Sequence, residues 1–153
     1  ERGADVNAKT KGDWTPLLGA ARKNAFEVAP LLIEAGAQLE VKWWRDGKTA
    51  LHWAAEKDHG KVVLLLIEAS AQIEATDEKY GQTALHFAAE YNSVDAARLL
   101  LEEGGAEIDA RNNKGYTPLE LAGWKRHVDM ATLLVEQGAN TDGINLYWMN
   151  WTK

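Results

Sequence analysis

The sequence predicts an all-α solenoid of stacked helix-turn-helix units. Two ladders of residues and one kind of punctuation predict it. The first ladder is TALHWAA at Thr49 to Ala55 and TALHFAA at Thr83 to Ala89, with looser copies TPLLGAA at Thr15 to Ala21 and TPLELAG at Thr117 to Gly123, so the four threonines recur every 34 residues. The second begins sixteen residues after each threonine: Leu31-Leu32-Ile33, Leu65-Leu66-Ile67, Leu99-Leu100-Leu101 and Leu133-Leu134-Val135. A threonine entering the first apolar run supplies an N-cap, and a glycine after the second closes it with a left-handed residue.

Self-similarity at a period near 33 with a T-P-L-H-x-A signature resembles the ankyrin-repeat family, and the resemblance covers nearly the whole chain. It implies an ankyrin-repeat solenoid whose helix pairs are joined by β-hairpin-like loops. The expected divisions are the end of a preceding repeat at 1–8, repeats at 9–41, 42–76, 77–110 and 111–143, and a C-terminal cap or linker at 144–153. Because the chain opens on a repeat tail without an initiator Met, it reads as a fragment of something longer.

Each element follows from local chemistry. Thr15-Pro16 places a capping hydroxyl before a proline at the first helical position, where a missing N–H costs nothing, and predicts a helix to about Lys23. Asn24-Ala25 turns the chain into a second helix that ends at Ala35 before Gly36. Pro30 lies inside it, so that helix starts late, near Ala29, or is kinked. The second repeat predicts helices at Ala50 to Lys57 and Lys61 to Ala69, with a cap at Ser70, where its sisters place glycine, that is strained or differently closed. The third predicts Ala84 to Tyr91 and Val94 to Glu103, followed by an extra residue at Gly104-Gly105. The fourth opens on Thr117 with Glu120 three residues on, a capping box, and continues with Val128 to Gln137.

The connectors differ by counting. Ala8 to Thr15 and Ala110 to Thr117 are seven residues, whereas Val41 to Thr49 and Ala75 to Thr83 are eight, so the two middle hairpin tips are longer by one. After Gly143 the pattern stops, and INLYWMNWTK has apolar weight for a cap without a helix signal.

Composition narrows the function classes. With 17 Lys plus Arg against 23 Asp plus Glu, the net charge of -6 disfavours counterion-driven binding to nucleic acid. The absence of cysteine excludes disulfides, thiolate catalysis and cysteine-ligated zinc, and fits an intracellular setting, cytoplasm or nucleus. The longest aliphatic run, Val62 to Ile67, is six residues, far short of a membrane span, and ERGADVNA has no signal-peptide core.

No catalytic grouping stands out, and the chain reads as non-enzymatic, without cofactor or metal. His52 with Glu56, and His86 with Glu90, have an i, i+4 metal-ligand spacing but lack a third ligand. The resemblance instead makes these histidines structural partners of the threonine and nearby backbone, and His59 and His127 packing residues of the inter-helix turn. Asp46-Gly47-Lys48-Thr49 ends like a phosphate loop, yet Lys42 stands where its first glycine belongs. Asn150-Trp151-Thr152 matches a glycosylation sequon, and Asn7 resembles the asparagine hydroxylated in some ankyrin hairpins.

Stacking consumes most faces of such an array, leaving the hairpin tips and the concave side of the first helices to partners. The family's contact positions fall here on Trp14, Lys48, Gln82 and Tyr116 before the threonines, on Arg22, Lys23, Glu56, Lys57, Glu90, Tyr91, Trp124 and Lys125 at the first-helix ends, and on Trp43, Trp44, Arg45 and Tyr80 at the tips. Of seven tryptophans, Trp53 replaces a core leucine and is expected inside; Trp14, Trp43, Trp44 and Trp124 are expected open to solvent. Trp148 and Trp151 belong to a cap or a cut interface. With Lys42 among the cations on this side and Glu34, Glu68, Glu102, Glu103 and Glu136 near the second-helix ends, the array is polarised, with an aromatic, mildly basic groove.

The expected function is a protein-interaction module whose partner is another protein, an acidic segment containing aromatic residues, bound by a monomer or a weak end-to-end dimer. The alternatives are a nucleotide or oligonucleotide sensor and an engineered ankyrin binder; Pro30, Ser70 and the irregular repeats count against consensus design.

Overall fold

The computed structural model describes residues 4–149. Four helix pairs follow in order: α1 (Pro16–Lys23) with α2 (Ala29–Glu34), α3 (Ala50–Glu56) with α4 (Gly60–Glu68), α5 (Ala84–Glu90) with α6 (Val94–Glu102), and α7 (Pro118–Trp124) with α8 (Val128–Glu136). A single 3-10 turn, Tyr147–Met149, follows. Among the described residues there is no strand and no helix long and apolar enough to cross a membrane.

Two layers result. The first helices pack in the series α1, α3, α5, α7, and the second helices in the series α2, α4, α6, α8. Alanines at 20, 54, 88 and 122 are buried at the same register in every first helix, and side chains this small let neighbouring helices approach closely. Leu66, Leu100 and Leu134 fill the space between layers and are fully buried.

The helix starts follow the predicted chemistry, with one reassignment. Thr15 Oγ1 accepts from the Leu18 N–H, and α2 does begin at Ala29, with Pro30 in its first turn where no intrahelical donor is lost. The expected capping box at Thr117 is only half made. Its hydroxyl accepts from the Glu120 N–H, but the Glu120 carboxylate accepts from that hydroxyl, 3.4 Å away, not from the Thr117 N–H. The reciprocal boxes lie instead at Thr49 and Thr83, where His52 Nδ1 and His86 Nδ1 accept from the threonine N–H at 2.9 and 3.1 Å.

Both ring nitrogens of these histidines are engaged. His52 Nε2 donates to the Ala75 carbonyl and His86 Nε2 to the Tyr116 carbonyl, each 2.9 Å away on the following hairpin. The inter-helix turns carry a parallel set: His59 donates to the Ala21 carbonyl, Ser93 to Glu56 and His127 to Glu90. On the opposite edge, side-chain oxygens of Asn7, Glu40, Glu74 and Asp109 accept backbone N–H groups of Gln38, Gln72, Glu107 and Asn140. Polar side chains thus tie each repeat to the next along two edges, and His52 and His86 add a third tie to the following hairpin, in addition to the apolar stack. Asn7 is committed to this ladder, since its Nδ2 also donates to the Gly36 carbonyl.

The hairpins have the counted lengths. Closing bonds run from Thr10 N–H to Trp14 O and from Asn112 N–H to Tyr116 O at the short tips, and from Trp43 N–H to Lys48 O and from Asp77 N–H to Gln82 O at the long ones. The extra residue is therefore inside the tip. Successive tips bond to each other, as in Glu78 N–H to Asp46 O and Asn113 N–H to Tyr80 O. Gly47 has φ of 76°, and a Cβ there would lie 2.5 Å from the Glu78 nitrogen, so both backbone conformation and tip stacking require glycine. Ser70 sits at φ 68°, the left-handed conformation its glycine sisters adopt freely.

Candidate concave binding site

The concave face is built of four rungs. In each repeat the residue before the threonine meets the residue eight positions later, at the end of the first helix. Arg22 lies 5.8 Å over the Trp14 ring; Lys48 is ion-paired with Glu56; Gln82 Nε2 donates to Glu90 at 3.1 Å; Tyr116 meets Trp124 edge to face, with centroids 4.1 Å apart. The rungs share geometry and differ in chemistry. Their members are largely satisfied by one another before any partner arrives.

The first two rungs are closed. Trp14, Trp43 and Trp53 form a triangle with ring centroids 5.5 to 5.8 Å apart. Arg22 caps Trp53 as well as Trp14, Arg45 lies over both Trp43 and Trp44, and Lys48 lies over Trp53 and Phe87. The cause is local. Gly19 occupies the position that holds Trp53, Phe87 and Leu121 in the other repeats, and the Trp14 indole folds over it, 3.4 Å from where a Cβ would stand. Trp14 and Trp43 are therefore half-buried, contrary to the expectation of open aromatics; Trp44 and Trp124, each 59% exposed, are the open ones.

Two other expected contact residues are inside. Glu56 and Gln82 are 9% and 4% exposed. Glu56 accepts from Lys48, which also lies 3.6 Å from Asp46, so Lys48 is neutralised and adds no free positive charge to the groove. Gln82 receives Asn112 Nδ2 on its Oε1. The mildly basic groove expected from residue counts is thus corrected to a mixed one.

The open part lies over repeats 2 to 4, a cleft of about 470 Å³. Tyr80, Tyr91, Tyr116 and Trp124 supply aromatic surface, Lys79, Lys114 and Lys125 positive charge, and Glu90 a carboxylate. Tyr91 and Tyr80 are 53% and 43% exposed. Burial, together with Glu56 and Glu90 nearby, pushes the Tyr91 hydroxyl above its ordinary pKa, so it stays a neutral donor.

Of the lining residues that were not among the expected contacts, Lys79 and Lys114 included, two shape the site. Asp77 is buried and accepts three backbone N–H groups, from Lys79, Tyr80 and Gln82. Asn112 does the same for Lys114 and Tyr116. Each shapes the tip that presents Tyr80 or Tyr116, and an Asp or Asn at the start of a tight turn was the available signal. Lys23, Lys57 and Lys125 are exposed at the first-helix ends, as expected. Trp148 half-covers the end of the stack, with Cζ2 3.5 Å from the Cβ position of Gly123. The sequon at Asn150 and Trp151 lie outside the described residues.

A family model described as ankyrin repeats (3 copies) matches residues 2–77 and 73–145. A search of curated proteins finds no match.

Proposed function

This chain belongs to the ankyrin-repeat family, generally a protein-interaction module, and we propose that it is a non-catalytic module that binds a protein partner through the open part of its concave groove and the adjacent hairpin tips. The carrying observation is the aromatic cleft over repeats 2 to 4, with Trp124 and Tyr91 more than half exposed beside Lys125. Aromatic side chains held rigid next to cations are the composition of interface hot spots. The partner is an acidic protein segment carrying aromatic residues. The net charge of -6 disfavours the dense charge of a nucleic acid, while a few separated carboxylates can meet the local cations Lys79, Lys114 and Lys125.

The test is differential capture from a cell extract. Wild-type protein and a Tyr91→Ala, Trp124→Ala double variant, matched in far-UV circular dichroism, are immobilised in parallel. Proteins retained by the first and lost from the second support the groove; equal capture by both moves the site away from it.

A further inference from the structure

One row of the groove carries a register that determines what kind of segment fits. Lys23, Lys57, Tyr91 and Lys125 follow one another at the same 34-residue interval as the threonines. Lys57, Tyr91 and Lys125 are the C-cap residues of α3, α5 and α7, with φ of -92°, -104° and -83°, and Lys23 is the last residue of α1. All four are exposed. Tyr91 and Lys125 line the cleft, and the row continues it past the closed aromatic rungs.

These four are the expected first-helix-end residues left outside the paired rungs. Among the described residues no ion pair holds Lys23 or Lys125, and the exposed Lys57 has only a contact of 3.8 Å to the buried Glu56, whose other oxygen is taken by Lys48. The row therefore offers positive charge at its first, second and fourth steps. At the third, the Glu90 carboxylate adjoins Tyr91 and repels an anion, while Tyr80, Tyr116 and Trp124 surround the place with aromatic surface.

Spacing converts this row into a sequence pattern. Consecutive first helices pack directly on one another, and packed helices stand about 8–10 Å apart. An extended peptide advances about 3.3 Å per residue, so one step of the row matches about three residues. Building on the groove reading above, we propose that the row binds an extended peptide whose acidic residues lie opposite Lys23, Lys57 and Lys125, at positions 1, 4 and 10 in one chain direction and 1, 7 and 10 in the other, with an aromatic residue opposite Tyr91. Isolated carboxylates one and two helix spacings apart, at about 10 Å per spacing, fit it better than a polyanion, because the chain's net charge of -6 repels dense negative charge.

The experiment uses a library of random dodecapeptides displayed on phage, selected on the wild-type protein. Enriched peptides should carry Asp or Glu at the 1, 4, 10 spacing or its reverse 1, 7, 10, with an aromatic residue in the middle of the longer gap. Synthetic copies should bind at least tenfold more weakly to the Lys23→Ser, Lys57→Ser, Lys125→Ser protein, and comparably more weakly when one acidic residue is moved by a single position. Peptides that bind, weaken on Trp124→Ala, yet tolerate the shifted acid would overturn the register and leave the groove reading intact. Enrichment no greater than on the Tyr91→Ala, Trp124→Ala protein would overturn both. Displacement of the peptides by dT12 at lower concentration than by an unlabelled peptide would overturn the choice of a peptide ligand.

Discussion

The two halves of the concave face are made from the same repeat and end in opposite states. In repeats 1 and 2, Trp14, Trp43 and Trp53 pack on one another beside Gly19 and are capped by Arg22, Arg45 and Lys48, so most of their aromatic area and of that charge is spent within the molecule. Of the tryptophans there, Trp44 alone stands open. In repeats 3 and 4 the corresponding places hold Phe87 and Leu121, which fill the helix surface themselves and leave Tyr91 and Trp124 standing in solvent. One difference at a first-helix position thus separates a stabilising half from a binding half. Aromatic content does not mark a site; unspent aromatic content does.

The largest expected effect comes from attacking the closed half at its centre. Trp53→Ala should cost about 3–5 kcal/mol of stability in urea unfolding, because it leaves a large cavity beneath Trp14 and Trp43. Trp53→Phe should cost clearly less, since Phe87 serves at the same position and the Trp53 Nε1 is a buried donor without a hydrogen-bond partner. Equal losses for both variants would mean that the tryptophan triangle does not close this half.

The buried histidines couple the stack to pH. Burial, opposed by the bond to Ala75, lowers His52 from 6.5 to about 4, and burial also lowers His86. Between about pH 6.5 and pH 4 the unfolded chain then binds protons that the folded chain does not, so stability is full above 6.5 and falls as pH drops through that window. For His52 the loss approaches about 3 kcal/mol at the low end. Urea unfolding at pH 7.5 and 5.0 measures it, and a His52→Gln variant should have a shallower pH dependence.

Trp124→Ala sharpens the comparison from the other side. It should weaken partner binding on the order of 2 kcal/mol, about thirtyfold. The smallest effect belongs to the convex side: Ser70→Gly relieves a left-handed residue and should stabilise by about 0.5–1 kcal/mol without changing affinity. A change in affinity there would show that binding reaches beyond the groove.

Most of the fold was legible because repeats announce their register. Four threonines at one spacing placed every first helix, Pro30 predicted the late start of α2, and connector lengths predicted which tips hold an extra residue. The site was legible only as a set of positions. Periodicity says that residue 14 faces the groove, but not that Gly19 lets its indole approach the helix, nor that Glu56 and Gln82 are consumed by partners eight residues away. Such cross-contacts depend on which side chains meet, and only the packed structure brings them together. The resemblance does imply that His52 and His86 bond the threonine and nearby backbone, and they do, but it does not identify that pairing as a reciprocal cap, so the box was assigned to Thr117 and Glu120.

The most direct test of the two-halves account is urea unfolding of Trp14→Ala beside Trp124→Ala. Trp14 joins two edge-to-face pairs and one cation contact in the closed half, and its loss should cost about 2–3 kcal/mol. Trp124 has one such pair and is mostly in solvent, so its loss should cost no more than about 1 kcal/mol. Equal costs, or a larger one for Trp124, would contradict the division of the groove into a closed half and an open one.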